Sequence, residues 1–300
     1  MMMRYLLMCL IFGTTFMSIK IGLNGGFPPF LFAGLRFFVG GILVLLFLGG
    51  WKYLRQVKGK MWLEMVGGGI GLTGLCFAAL FWSEQYVSSG MAAMIVATKP
   101  LFTMLAGILL HKQSLRTTTI FALGFGFVSV LSILLSGVTI LDTNGIIGLL
   151  ALLFTELVYA LTLIRFSSVT QSLSPITSNG LQLIFGGVFL LLLASLFELP
   201  FTHVLTQGAI WSLIYLTVFG TCIAYSLFFY LVKATNPVFP TTWTYISPLI
   251  ALVLGWLFLA EKIMPLQIAG AVGVLISVLI LHVERVHLSK TALTNESDLC

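Results

Sequence analysis

Two stretches of the sequence decide the fold: FPPFLFAGLRFFVGGILVLL at residues 27–46 and LSPITSNGLQLIFGGVFLLL at residues 173–192. Each is apolar over about the 20 residues that a helix needs to cross the hydrocarbon core of a bilayer. Aligned at an offset of 146 residues, they superpose Pro29 on Pro175 and one Gly-Gly pair on another. The chain therefore repeats a segment of membrane-spanning length.

The composition of the whole chain agrees with this interpretation. Of 300 residues, 59% are hydrophobic and only 8% are charged, and the mean hydropathy is +1.11. Because an ordinary soluble domain has about 25% charged residues, the composition excludes a water-soluble fold and predicts an all-α integral membrane protein. Ten apolar stretches are long enough to span: roughly 4–22, 30–50, 61–83, 88–110, 117–136, 144–165, 176–198, 208–232, 237–259 and 265–283.

The repeat extends over both halves of the chain. KPLFTMLAGILL at residues 99–110 aligns with SPLIALVLGWLF at residues 247–258 at an offset of 148, close to the first offset. Each half contains five spans, and because five is an odd number, the second half must enter the membrane from the opposite side. The sequence thus predicts two inverted five-helix repeats, a design that recurs in secondary transporters. A duplication kept only for packing is the alternative.

Basic residues predict the orientation, because they are enriched in cytoplasmic loops. With both termini in the cytoplasm, eleven Lys and Arg residues lie on the inner side, and only Lys20 and Lys262 lie on the outer side. The positive charge of the chain is then explained by topology and indicates no nucleic-acid partner.

Ionisable residues inside spans are costly and mark candidate functional sites. Lys99 lies at the centre of the fourth span, too deep for its side chain to reach an interface, and Glu156 lies at a similar depth in the sixth. Their opposite charges suggest a direct pair or a shared aqueous cavity that binds substrate. A buried ion pair that only fixes helix register is the alternative. Arg36 is the third candidate; it lies nearer the outer surface, which its side chain could reach, and a structural role is favoured there over a functional one.

Proline and polar residues near Lys99 and its repeat partner complete the candidate site. Pro100 and Pro248 cannot donate a backbone hydrogen bond and are expected to kink their helices, releasing carbonyls near the midplane. The segment TTWTYIS at residues 241–247 is unusually polar for a span. With Lys99 and Glu156, the predicted substrate-binding residues are Trp82, Tyr159, Tyr225, Trp243, Thr244, Tyr245 and Ser247, although packing is the alternative for each aromatic residue.

The order of ten spans, the Pro-Leu in the fourth and ninth, and PLIALVLGWLFLAEKIMPLQIAGAVGVLI at residues 248–276 resemble the EamA-type members of the drug/metabolite transporter superfamily. The resemblance covers nearly the whole chain. It implies a first EamA-type repeat at residues 1–138, a second at 139–284 and a cytoplasmic tail at 285–300. The Glu that the family usually carries after the Pro-led span is present as Glu261, expected to be structural, whereas the matching first-half position is Gln113.

The resemblance implies a secondary transporter in the cell membrane that exports amino acids or related metabolites by alternating access, with proton coupling as an option. A passive channel for small polar solutes is the alternative. An enzyme is not expected, since no nucleophile, base or metal-binding set reaches the midplane, and we predict no cofactor and no metal. The expected partners are a small-molecule substrate and the lipid bilayer, with a homodimer left open.

Overall fold

Every element of the described chain is a helix. The computed structural model describes residues 1–111, 117–138, 142–166, 173–202, 204–234 and 242–297. The α-helices are α1 (Met2–Asn24), α2 (Pro29–Phe47), α3 (Lys60–Gly69), α4 (Cys76–Ser83), α5 (Ser89–Val96), α6 (Lys99–His111), α7 (Thr117–Val138), α8 (Thr143–Arg165), α9 (Pro175–Phe197), α10 (Gln207–Tyr215), α11 (Ala224–Ala234), α12 (Trp243–Leu259) and α13 (Pro265–Ser297). A 3₁₀ helix (Gly50–Gln56) follows α2, and π-helical segments join α3 to α4 (Ile70–Leu75) and α10 to α11 (Leu216–Ile223).

Eight stretches of the described chain are helical, apolar and long enough to cross a membrane. They are Met2–Asn24, Pro29–Phe47, Lys60–Ser83, Ser89–Leu110, Thr117–Ser136, Thr143–Arg165, Pro175–Phe197 and Gln207–Leu231. Two shorter apolar stretches, Trp243–Leu259 and Pro265–Leu281, lie where the ninth and tenth spans are predicted. Helix α13 continues without a break through the predicted tail to Ser297.

Local sequence explains where several of these helices begin. Helices α2 and α9 each start with a proline, whose missing N–H is no loss in the first turn. The side chains of Ser88, Asp142 and Thr206 accept hydrogen bonds from the first turns of α5, α8 and α10. Such caps satisfy backbone donors that have no partner within the helix.

The helices pack in pairs that link the two halves of the chain. Helix α2 packs along α9, α7 along α13, α1 along α12, and α8 along α5 and α6. A shift of about 146 residues exchanges α2 with α9 and α7 with α13. The same shift takes α1 to α8 and α5–α6 to α12, so it relates the pairing of α1 with α12 to that of α8 with α5 and α6. The outer surface carries large exposed apolar side chains, such as Phe121, Phe154 and Phe258, as expected for a surface that faces lipid.

Glycines set the close contact between α2 and α9. A Cβ added at Gly187 would lie 2.4 Å from the backbone nitrogen of Phe38, and one added at Gly41 would lie 2.9 Å from the carbonyl oxygen of Gly180. Small residues let membrane helices approach this closely. The glycine run at residues 67–74 has the same use, since a Cβ at Gly69 would lie 2.8 Å from the backbone oxygen of Gln182.

The two π-helical segments occupy equivalent positions in the repeat, because Gly74 and Cys76 align with Gly220 and Cys222 at the offset of 146. At each segment a side chain donates a hydrogen bond to a backbone carbonyl oxygen five residues earlier. Cys76 Sγ, directly after the first segment, bonds to the oxygen of Gly71 at 3.1 Å, and Thr221 Oγ1, within the second, bonds to that of Leu216 at 3.1 Å. Apolar periodicity does not distinguish an α-helix with a π-helical insertion from one without, and the sequence did not predict these segments. Such segments occur often at functional sites.

Candidate substrate-binding site

The fourth span consists of two helices that meet beside Lys99. Helix α5 ends at Val96 and α6 begins at Lys99, so Pro100 lies in the first turn of α6, where its missing N–H is tolerated. Pro248, in contrast, lies inside the continuous helix α12. The two equivalent prolines therefore take different forms, a helix break in the first half and an internal proline in the second.

Lys99 and Glu156 form a direct ion pair between α6 and α8. Lys99 Nζ donates to Glu156 Oε1 at 3.2 Å. The Lys99 side chain is 23% exposed, the Glu156 side chain is 2% exposed, and Glu156 Oε2 has no hydrogen-bond partner among the described residues. Lys99 Nζ also lies 4.9 Å from the centre of the Tyr159 ring. Within the described residues, one carboxylate oxygen of Glu156 therefore has no partner, and part of the Lys99 side chain is exposed.

Aromatic residues connect this pair to helices of both halves. Tyr225 on α11 interacts electrostatically with Lys99 and with Arg36. Its ring packs edge-on against that of Phe12, with 5.9 Å between the ring centres. The Phe12 ring in turn stacks on that of Trp243, with 4.3 Å between the ring centres. Phe12 was not predicted as a site residue, since nothing in an apolar span distinguishes it from a core phenylalanine.

A narrow cleft lies beside the break between α5 and α6. Its free volume of about 10 Å³ is enough for about one water molecule. Ser247 is buried, and its hydroxyl has no hydrogen-bond partner among the described residues. The residues that line the cleft are Trp243, Thr244, Ser247 and Pro248 on α12, facing Phe16, Ala93, Val96 and Ala97. The structure thus places four of the predicted residues together.

Two predicted residues lie elsewhere. Tyr245 is half-buried and packs against the main apolar core. Trp82 lies near the end of α4, with its ring 5.3 Å from that of Tyr86, and no described contact joins it to Lys99. Gln113 falls outside the described residues.

The side chain of Arg36 does not reach the outer surface, although its depth in the span would have allowed it to do so. The residue is 5% exposed, and its guanidinium lies over the Phe37 ring at 4.8 Å and near those of Phe77 and Phe81. Helix α2, which carries Arg36, packs against α4, α9 and the second π-helical segment. Sequence depth alone cannot reveal this enclosure.

A second charged group lies at the end of α4. Glu84 is fully buried, and neither carboxylate oxygen has a hydrogen-bond partner among the described residues. Burial raises the pKa of Glu84 well above its usual value; Lys20 and Arg36 oppose this rise and Glu261 adds to it. Lys20 Nζ donates to the backbone carbonyl oxygens of Glu84 and of Val87. These residues gather at the end of the bundle where the α4–α5 connection lies.

Two glutamates cap helices of the other half of the chain. Glu261 accepts from the backbone nitrogens of Ser89 at 2.8 Å and Gly90 at 3.3 Å, at the start of α5. Glu198 accepts from the backbone nitrogens of Phe30 at 2.7 Å and Leu31 at 2.8 Å, at the start of α2. These contacts agree with the structural role predicted for Glu261 and show that Glu198, which the sequence did not single out, has a similar role.

The described residues contain no cluster of three or more His, Cys, Asp or Glu side chains that could hold a metal ion. A bundle of apolar helices of membrane length with a buried ion pair beside a broken helix is the architecture of a membrane transport protein.

Comparison with known proteins identifies the family. The sequence model of the EamA-like transporter family matches residues 2–135 and 146–283, and the chain belongs to that family. It is 28% identical to a protein of Escherichia coli named the uncharacterized inner membrane transporter YedA, over 82% of this chain and 78% of that one. It is 26% identical to the uncharacterized transporter YoaV of Bacillus subtilis, over 87% and 89%, and 27% identical to protein PecM of Dickeya dadantii, over 84% and 82%.

One solved crystal structure shares the fold, with a TM-score of 0.65 over 95% of this chain and 97% of that chain, at 16% sequence identity. Family membership and the apolar helices together define a multi-pass transporter of the cell membrane rather than an enzyme.

Proposed function

We propose that this chain is a secondary transporter that exports amino acids or related small metabolites by alternating access, with Glu156 as the proton-exchanging group. The observation that carries the proposal is the Lys99–Glu156 pair, joined at 3.2 Å beside the break between α5 and α6. A buried ion pair is seldom retained for stability alone, because apolar replacement of both partners is often harmless.

The two charges suit a zwitterionic solute. Its carboxylate would bind Lys99, which lies in the first turn of α6, where the positive end of the helix dipole also favours an anion. Its amino group would bind Glu156, whose second oxygen has no partner among the described residues. A carboxylate whose contacts with Lys99 and water change during transport can also take up and release a proton.

The proposed topology has ten spans, with both termini in the cytoplasm and two inverted halves at residues 1–138 and 139–284 followed by a tail at 285–300. The exchange of helix pairs between the halves and the equivalent positions of the two π-helical segments support this arrangement. Alternating access would then move one half against the other around the ion pair, with the π-helical segments as sites of bending.

A growth-tolerance screen tests the proposal. Cells that express the chain are exposed to toxic amino-acid analogues and metabolites, and we expect increased tolerance to at least one zwitterionic compound. Glu156→Gln and Lys99→Ala should abolish this tolerance while leaving the amount of protein in the membrane unchanged. Lys52→Ala, at an exposed lysine in the 3₁₀ helix, is the matched control. Full tolerance with both site variants would refute the proposed site.

A further inference from the structure

Arg36 carries a buried charge that the described structure does not compensate by hydrogen bonds. The residue is 5% exposed, and neither Nε nor Nη1 has a hydrogen-bond partner within the described ranges. Its nearest aromatic neighbour, Phe37, offers only a ring face at 4.8 Å. Burying an unpaired charge costs several kcal/mol, so a retained guanidinium in this position requires an explanation.

The carboxylate that could pair with Arg36 does not do so in the described structure. Glu84 interacts with Arg36 electrostatically, yet neither Glu84 oxygen has a hydrogen-bond partner in the part of the chain that the structure describes. The guanidinium and the carboxylate are therefore near each other but not joined. A planar guanidinium is suited to bind a carboxylate through two parallel hydrogen bonds, and here that capacity is unused.

The position of Arg36 connects two parts of the molecule. Tyr225 interacts electrostatically with both Arg36 and Lys99, so it lies near both charged groups. Beyond Arg36, Glu84 and Lys20 mark the end of the bundle near the α4–α5 connection. The charged groups thus form a series from the middle of the bundle to one end.

A glycine packs directly against the guanidinium. Gly220 lies in the second π-helical segment, and a Cβ added there would lie 3.3 Å from Arg36 Nη2. Because this distance is tighter than an ordinary van der Waals contact, any larger residue would crowd the group that a ligand must reach.

We propose that Arg36 is a second carboxylate-binding position, which holds the solute on its way between the Lys99–Glu156 pair and the end of the bundle at Glu84 and Lys20. The solute class is an organic carboxylate, either anionic or zwitterionic, and organic cations are not transported. This inference rests on the proposed transport function and assigns the chemical group that the solute must carry.

Ligand-dependent unfolding of the purified protein in lipid nanodiscs tests the inference. The probes are leucine, glutamate and lactate as carboxylates, and leucinamide as a cation without a carboxylate. At least one carboxylate should raise the unfolding midpoint of the wild type, whereas leucinamide should not. Arg36→Gln should weaken that binding by about tenfold or more, because it removes charge-assisted hydrogen bonds. Arg36→Lys should give an intermediate affinity, since it keeps the charge and loses the planar fork.

The matched control is Arg4→Gln, which removes an exposed arginine that lies 4.2 Å from the Tyr230 ring centre and should bind as the wild type does. A stability measurement separates binding from folding: without ligand, Arg36→Gln should unfold at the same temperature as the wild type or higher, because it removes an uncompensated buried charge. A marked loss of stability would show a structural arginine and contradict the inference.

Three other results would overturn the inference. They are carboxylate binding by Arg36→Gln at wild-type affinity, equal effects of leucine and leucinamide on the wild type, and no effect of any carboxylate on the wild type. The proposed transport function is tested separately by the tolerance screen. If the screen identifies an organic cation whose export requires Glu156, this result supports the proposed transport function and refutes the proposed role of Arg36.

Discussion

The Lys99–Glu156 pair predicts an asymmetric set of stability changes. At 3.2 Å and an effective dielectric constant of about 20, two unit charges attract by about 5 kcal/mol, most of which offsets the loss of hydration. Lys99→Met leaves a carboxylate that is only 2% exposed and has no partner, and it should cost about 3–5 kcal/mol. Glu156→Leu leaves an ammonium on a side chain that is 23% exposed, and it should cost about 1–3 kcal/mol.

The double variant Lys99→Met/Glu156→Leu should lie within about 1 kcal/mol of the wild type, because no buried charge is left unpaired. The sum of the two single losses should therefore exceed the loss in the double variant by about 3 kcal/mol or more. The assay is denaturant unfolding in nanodiscs, combined with transport by the same preparations. All three variants should be inactive, including the stable double variant.

Two results would refute this reasoning. If the single losses add up to the loss in the double variant, the two charges are not coupled as the 3.2 Å contact requires. If the double variant is both stable and fully active, the pair serves only to fix the register of α6 and α8.

Three further predictions concern residues outside the ion pair. Glu261→Ala removes two hydrogen bonds from the start of α5 and leaves the Ser88 cap in place. It should lower the free energy of unfolding by about 2 kcal/mol, while transport per folded molecule stays unchanged; lost transport would contradict a purely structural role. Gly187→Ala places a Cβ 2.4 Å from a backbone nitrogen of α2 and should abolish stable expression measured by fluorescence-detected size exclusion, whereas Gly124→Ala, with no atom within 4 Å, should express as the wild type does; equal expression would refute the packing argument. Burial in the folded state raises the pKa of Glu84. As pH rises above the pKa of this glutamate in the unfolded chain, about 4.3, Glu84 therefore lowers the free energy of unfolding increasingly. The gain in unfolding midpoint from Glu84→Gln should therefore grow with pH, and a gain independent of pH would contradict the buried carboxylate.

Periodicity and residue depth were sufficient to predict the helices and the two central charges. Runs of about 20 apolar residues have few alternatives to a spanning helix. Eight of the ten predicted spans are helices of spanning length in the described chain, whereas the ninth and tenth contain shorter apolar helices. Lys99 and Glu156 lie at equal depth in their spans with opposite charge, and the structure places them in direct contact.

The remaining features depend on contacts between helices that are distant in the chain. The enclosure of Arg36 follows from the helices that surround α2 and not from its depth, so the sequence allowed a surface position. Glu198 lies at the end of a span and caps a helix 167 residues away along the chain, and no local pattern marks such a contact. The π-helical segments differ from an α-helix by backbone hydrogen bonding, which apolar spacing does not reveal.

Counterflow in proteoliposomes tests most directly whether this chain is a carrier that works through the Lys99–Glu156 pair. Vesicles are loaded with the unlabelled solute found in the tolerance screen, diluted, and given labelled solute outside. The account predicts a transient accumulation of label above its equilibrium level with the wild type, and none with Glu156→Gln. Equilibration without an overshoot in the wild type would indicate a passive channel, and an unchanged overshoot in Glu156→Gln would place the site elsewhere.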